Sequence, residues 1–117
     1  MSMPGFVNGM ILRVSVGEAD TVDGVPVYER ILVEAKKAGL MGAEVFRGIE
    51  SYGQDGKIHT ARILRLSEDL PVVVEIADER SKIEAFMPQV AGIIEHAGCG
   101  GLISTHQAML RRVPSKK

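Results

Sequence analysis

The apolar residues change period along the chain in a fixed order, and that order limits the fold more than any single motif. In MILRVSVGE, Met10, Leu12, Val14 and Val16 alternate with Arg13 and Ser15, and Gly17 ends the run. A period of two is the mark of a half-buried strand. ADTVDG reads as a turn. In PVYERILVEAKKAG, Tyr28, Ile31, Leu32, Ala35 and Ala38 recur at helical spacing. Pro26 suits the first turn, Glu29 and the pair Lys36 and Lys37 match the helix dipole, and Gly39 is the stop.

The pattern then returns to strand. GAEVFRGIESYG offers Val45, Phe46 and Ile49, with Gly48 at a bulge or close contact. QDGK is a turn. LPVVVEIAD is a β-branched run that reads as a central strand. A second helix follows, with Asp78 as its expected N-cap. Its apolar stripe runs through Ile83, Phe86, Met87, Val90, Ile93, Ile94 and Ala97, and Pro88 is expected to kink or divide it. HAGCGG breaks the helix, and LISTHQAMLRRV reads as the last strand. The order is therefore strand, helix, strand, strand, helix, strand. It predicts an α+β ferredoxin-like βαββαβ sandwich: an antiparallel sheet with two helices on one face. The other face is covered only if something else packs there, which small domains of this kind often achieve by oligomerising.

With 117 residues the chain is one domain, assigned to 10–113 between a flexible N-terminus, 1–9, and a tail, 114–117. Hydrophobic residues make up 45% and charged residues 25%, so a packed core is expected. The net charge of −1 argues against a dedicated nucleic-acid binder. Cys99 is the only cysteine, so no intrachain disulfide forms. MSMPGFVNG lacks the build of a signal peptide, and no apolar run reaches a membrane span of about 20 residues. A cytoplasmic protein without membrane insertion is the expectation.

Few residues suggest chemistry. His59, His96, His106 and Cys99 show no zinc-like spacing, so no metal site is assigned. Cys99 and Ser104 lack a nucleophile motif, and Glu68 and Asp69 read as a solvated pair, so the chain is not expected to be an enzyme. HAGCGG could turn backbone N–H groups toward a phosphate, though Gly98 is equally an ordinary helix stop. Arg111 and Arg112 could pair with phosphates or simply be solvated. The segment KIHTARILRLSEDLP, Lys57 to Pro71, is too long for a simple strand connection and mixes basic with apolar residues.

VYERILVEAKKAGLMGAEVFRGIESYG and IHTARILRLSEDLPVVVEIADERSKIEAFMP carry a resemblance to the domain-of-unknown-function 190 family of the PII-like superfamily, over roughly Met10 to Val113. The resemblance implies a homotrimer. It implies that the long segment is a T-loop, about 53–70, that reaches a partner protein, with Ile63, Leu64 and Leu66 folding back as strand or packing at a subunit contact. It also implies an adenine nucleotide as ligand in clefts between subunits. By position, Gly53 and Gln54 match the T-loop base, Glu75 the third-strand glutamate, Gly98, Gly100 and Gly101 the phosphate-cradling loop, and Arg111 and Arg112 the C-terminal basic residues. His59, Thr60 and Arg62 resemble a signature of this branch, binding an anion, shaping the loop or hydrogen-bonding within the trimer. The loop carries no tyrosine after Tyr52, so the tyrosine modification of PII regulators has no target there. The implied partner is a membrane transporter or channel, a fluoride channel included. The alternatives are a metal-responsive protein like CutA, and a structural trimer without ligand.

Overall fold

A computed structural model of the chain describes residues 3–54, 56–60 and 69–117. The elements are β1 (Val7–Gly17), β2 (Thr21–Val22), β3 (Val25–Pro26), α1 (Val27–Lys37), β4 (Gly42–Arg47), β5 (Glu50–Ser51), β6 (His59–Thr60), β7 (Pro71–Glu79), α2 (Arg80–Ala97) and β8 (Leu102–Leu110). The main sheet has the order β4-β7-β1-β8 with every pair antiparallel. This is the expected ferredoxin-like α+β arrangement.

The alternation in β1 puts Met10, Leu12, Val14 and Val16 in the core, and β7 adds Val72, Val74 and Ile76 from the same face. The helices close that face with Val27, Ile31 and Ala35 from α1 and Ile83, Phe86, Val90 and Ile94 from α2. β1 begins at Val7, before the alternation that starts at Met10, because Val7 to Gly9 pair with Leu110 to Ala108. The turn in TVDGV is a two-residue hairpin loop in which Asp23 and Gly24 both have positive φ, 49° and 81°. Asp-Gly is a favoured sequence for such a turn.

Two expectations about α2 change. Pro88 does not divide it; α2 runs unbroken from Arg80 to Ala97. Pro88 and Glu84, whose carbonyl loses its helical partner to the proline, are both exposed, while the buried stripe on the other side holds the helix together. Asp78 is not the N-cap. That place falls to Glu79, which makes no side-chain capping bond. Asp78 is only 2% exposed and still belongs to β7. Its Oδ2 accepts the Met41 N–H at 2.8 Å and its Oδ1 accepts the Glu79 N–H at 2.6 Å. The carboxylate therefore ties the α1–β4 connection to the β7–α2 connection. Gly48 makes the close contact expected of it. Its N–H donates to the Pro71 carbonyl at 2.8 Å, and a Cβ there would stand 2.6 Å from the Pro71 ring.

The face of the sheet away from the helices is open in the single chain. One row across it runs Leu102, Ser15, Val73, Phe46, and Leu102 and Phe46 are 69% and 47% exposed. The next row places Ser104, Arg13, Glu75 and Glu44 side by side.

Candidate functional site

The register of the sheet brings four chain segments to one end. Gly17, the end of β1, lies opposite Pro71, the start of β7, and Ser15 lies opposite Leu102, the start of β8. The β1–β2 turn, the α2–β8 loop and both stems of the long connection therefore meet there. Between them is a cleft of ~670 Å³. Ser15, Val16, Gly17 and Asp20 line it from the first segment, Ser51, Tyr52, Gly53 and Gln54 from the second, Asp69 and Pro71 from the third, and Cys99, Gly100, Gly101 and Leu102 from the fourth.

Glycine is required on the α2–β8 side. A Cβ on Gly101 would stand 2.9 Å from the Ser15 carbonyl oxygen, so the loop approaches β1 by backbone alone. Gly100 has φ +72°, and the Gln54 amide nitrogen lies 3.3 Å from where its Cβ would be. Gly98, with φ 67°, ends α2; its N–H donates to the Ile94 and Glu95 carbonyls and it does not line the cleft. It acts here as a helix stop.

The carboxylates set the electrostatics. Asp20 Oδ2 accepts the Gly17 N–H at 2.7 Å, and Asp69 Oδ1 accepts the Ala19 N–H at 2.7 Å. The two side chains converge over Gly17, where a Cβ would collide with Asp69 and stand 3.0 Å from Asp20 Oδ2. Among the described residues the lining holds these two carboxylates and no Lys or Arg. Cys99 Sγ lies 3.2 Å from the Gly100 carbonyl oxygen. Burial pushes the Cys99 thiol up, and the charge and hydrogen bond of Asp20 push it further. It is a protonated thiol at neutral pH and a poor nucleophile or metal ligand in that state.

The residues expected from sequence divide into two groups. Gly53, Gln54, Gly100 and Gly101 share the cleft. The backbone of His59 is nearby, since it pairs with Ser51. Glu75 sits elsewhere, mid-strand on the open face, 3.8 Å from Arg13. Arg111 and Arg112 follow the far end of β8, where Leu110 pairs with Val7, about 25 Å from the cleft at the ordinary strand rise. There Arg112 donates to the Met41 carbonyl and Arg111 packs on Gly5. Arg62 and the Ile63, Leu64, Leu66 cluster lie outside the described residues. Sequence reading missed Asp20 and assigned Asp69 to a solvated pair. Asp20 belongs to no periodic pattern or motif, Asp69 stands in a stretch that carries the resemblance but assigns it no role, and only the β1–β7 register brings them together.

Among the described residues no group of three or more His, Cys, Asp and Glu is arranged to hold a metal ion. Nor is any helix among them long and apolar enough to cross a membrane.

Comparison with known proteins supplies the family. The model of the DUF190 family, described as an uncharacterized ACR, matches residues 9–110. A UPF0166 protein of Aquifex aeolicus is 41% identical over 86 residues, covering 74% of this chain and 82% of its own. Among solved structures, CPII, a nitrogen regulatory PII-like protein from Thiomonas intermedia bound to ADP, AMP and bicarbonate, superposes with a TM-score of 0.69 at 15% identity, over 92% of each chain. CutA1 from Oryza sativa gives 0.57 at 16% identity, over 94% of this chain and 86% of that one. At such identities the structures share the fold, and the sequence matches carry the kinship. The chain belongs to the DUF190 family, and its fold is PII-like.

Proposed function

We propose that the chain is a cytoplasmic PII-like regulatory protein, a binding protein and not a catalyst. It takes an anionic ligand, an adenine nucleotide, in the cleft at the base of the long connection. The observation that carries this reading is the meeting of Gly53 and Gln54 with Gly100 and Gly101 around one cavity. These segments are far apart in sequence, and their backbone N–H groups and side-chain amide suit a polar ligand. That CPII was solved with ADP and AMP supports the choice of ligand.

The protein acts as a homotrimer. The open sheet face, with Phe46 and Leu102 exposed beside Val73, is the surface a second copy would cover. In a trimer the cleft lies beside a neighbouring subunit, which can bring the cationic groups that its own described lining lacks. Ligand binding shifts the conformation of the connection at about 53–70, and that segment engages a partner protein, a membrane transporter or channel such as a fluoride channel.

Thermal unfolding with ATP, ADP, AMP and divalent metals, alongside mass measurement in the same buffers, tests the reading. A ligand at a hundred times its Kd stabilises the folded state by about 2.7 kcal/mol. A nucleotide-dependent rise in Tm on a trimer supports the proposal. A rise with metals alone contradicts it in favour of a CutA-like response, and a stable trimer with no rise favours a structural role.

A further inference from the structure

The β1–β2 turn holds both stems of the long connection. On the outgoing side, Arg47 at the end of β4 pairs with Glu18. On the returning side, the Glu18 N–H donates to the Leu70 carbonyl at 2.8 Å, and the Ala19 N–H donates to Asp69 at 2.7 Å. The Gly48 N–H adds a direct bond from one stem to the other through Pro71. One of these contacts is different in kind. The Asp69 carboxylate both makes the latch to Ala19 and lines the cleft, converging there with Asp20.

We propose that Asp69 is a latch read by charge: an anion entering the cleft weakens the Asp69–Ala19 bond and loosens the returning stem at Asp69, whereas the empty cleft keeps it fastened there. This rests on the anionic-ligand reading of the cleft and adds how that ligand reaches the connection. The physical reason is the sign of the charges. A phosphate beside two converging carboxylates is repelled by both, and charges closer than a Debye length of about 8 Å escape most of the screening by salt. Asp20 is bonded within its own turn, to Gly17. Asp69 is the carboxylate whose partner lies in another segment, fifty residues away in sequence. Rotating Asp69 away from the anion therefore opens a contact between segments. The acidic lining thereby becomes the coupling element for an anion.

Amide hydrogen exchange at Ala19, followed by NMR in the full-length protein with and without ADP, tests this. Without ligand, Asp69→Ala is expected to speed exchange at Ala19 roughly tenfold, the size of effect a charge-assisted hydrogen bond gives. Asp69→Asn keeps an acceptor oxygen and should stay within a few-fold of wild type. With ADP, wild type should exchange about tenfold faster at Ala19, and Asp69→Asn, which removes one repelling carboxylate, should bind ADP more tightly with no change in exchange at Ala19. Unchanged exchange in ligand-free Asp69→Ala overturns the latch. ADP bound to wild type, as shown by a parallel calorimetric titration, with no change at Ala19 overturns its reading by charge. Absence of ADP binding in that titration instead overturns the cleft reading and the ligand half of this proposal with it. The ligand-free comparison still decides whether the latch exists.

Discussion

Gln54 lies against Gly100, its amide nitrogen 3.3 Å from the position a Cβ would occupy, although the two belong to different loops. Gly98, two residues earlier, has a similar left-handed backbone with nothing within 4 Å of its Cβ position. The pair separates backbone strain from site geometry. Gly98→Ala and Gly100→Ala should each lose about 1 kcal/mol to the left-handed conformation, measured by urea unfolding. Only Gly100→Ala also displaces Gln54, so only it should weaken ADP binding, by about tenfold in a calorimetric titration. Equal affinities in the two variants would place the ligand elsewhere.

Asp78 should act on stability alone. Asp78→Ala leaves the Met41 and Glu79 N–H groups, both bonded in part-buried positions, without their acceptor. The expected loss is about 1–3 kcal/mol in urea unfolding, with nucleotide affinity within twofold of wild type. A large change in affinity would mean that the far end of the sheet is coupled to the cleft.

The Cys99 thiol, raised first by burial and then by Asp20, carries less thiolate at any pH below its pKa than a free cysteine does. Its reaction with a disulfide reagent should therefore be several-fold slower than that of a free thiol at pH 8 and should rise toward it as the pH climbs. Asp20→Asn removes one cause of the shift and should speed the reaction at pH 8. A rate as fast as a free thiol would contradict the raised value.

Much of this fold could be read from spacing. Met10 to Val16 and Ile31 to Ala35 show their burial directly, because a strand and an amphipathic helix repeat at fixed periods. Local rules failed where tertiary contacts outweighed them. Pro88 is a helix breaker by propensity, yet Ile83, Phe86, Val90 and Ile94 bury one face through it. Asp78 is a good cap by type, yet β7 runs on through it to Glu79 and turns its carboxylate inward to Met41. The cleft was legible in part. Gly53, Gln54, Gly100 and Gly101 stand in recognisable stretches, but nothing in the linear order shows that Asp20 and Asp69 face each other over Gly17.

The open face makes a prediction about assembly. Phe46 and Leu102 lie in one cross-strand row with Val73. Placing a charge there, as in Phe46→Glu, should dissociate the proposed trimer into smaller species in sedimentation while the isolated subunit keeps its helical circular dichroism. Burying an unpaired carboxylate in an apolar interface is costly enough to do so. An unchanged mass would move the subunit contact to another surface.

The most direct test is a calorimetric titration of ADP into the purified wild-type protein, with its mass measured in the same buffer. The account predicts saturable binding near one ADP per subunit on a trimer. No heat and no rise in melting temperature with ADP or any other adenine nucleotide, at concentrations up to the millimolar range, would contradict it.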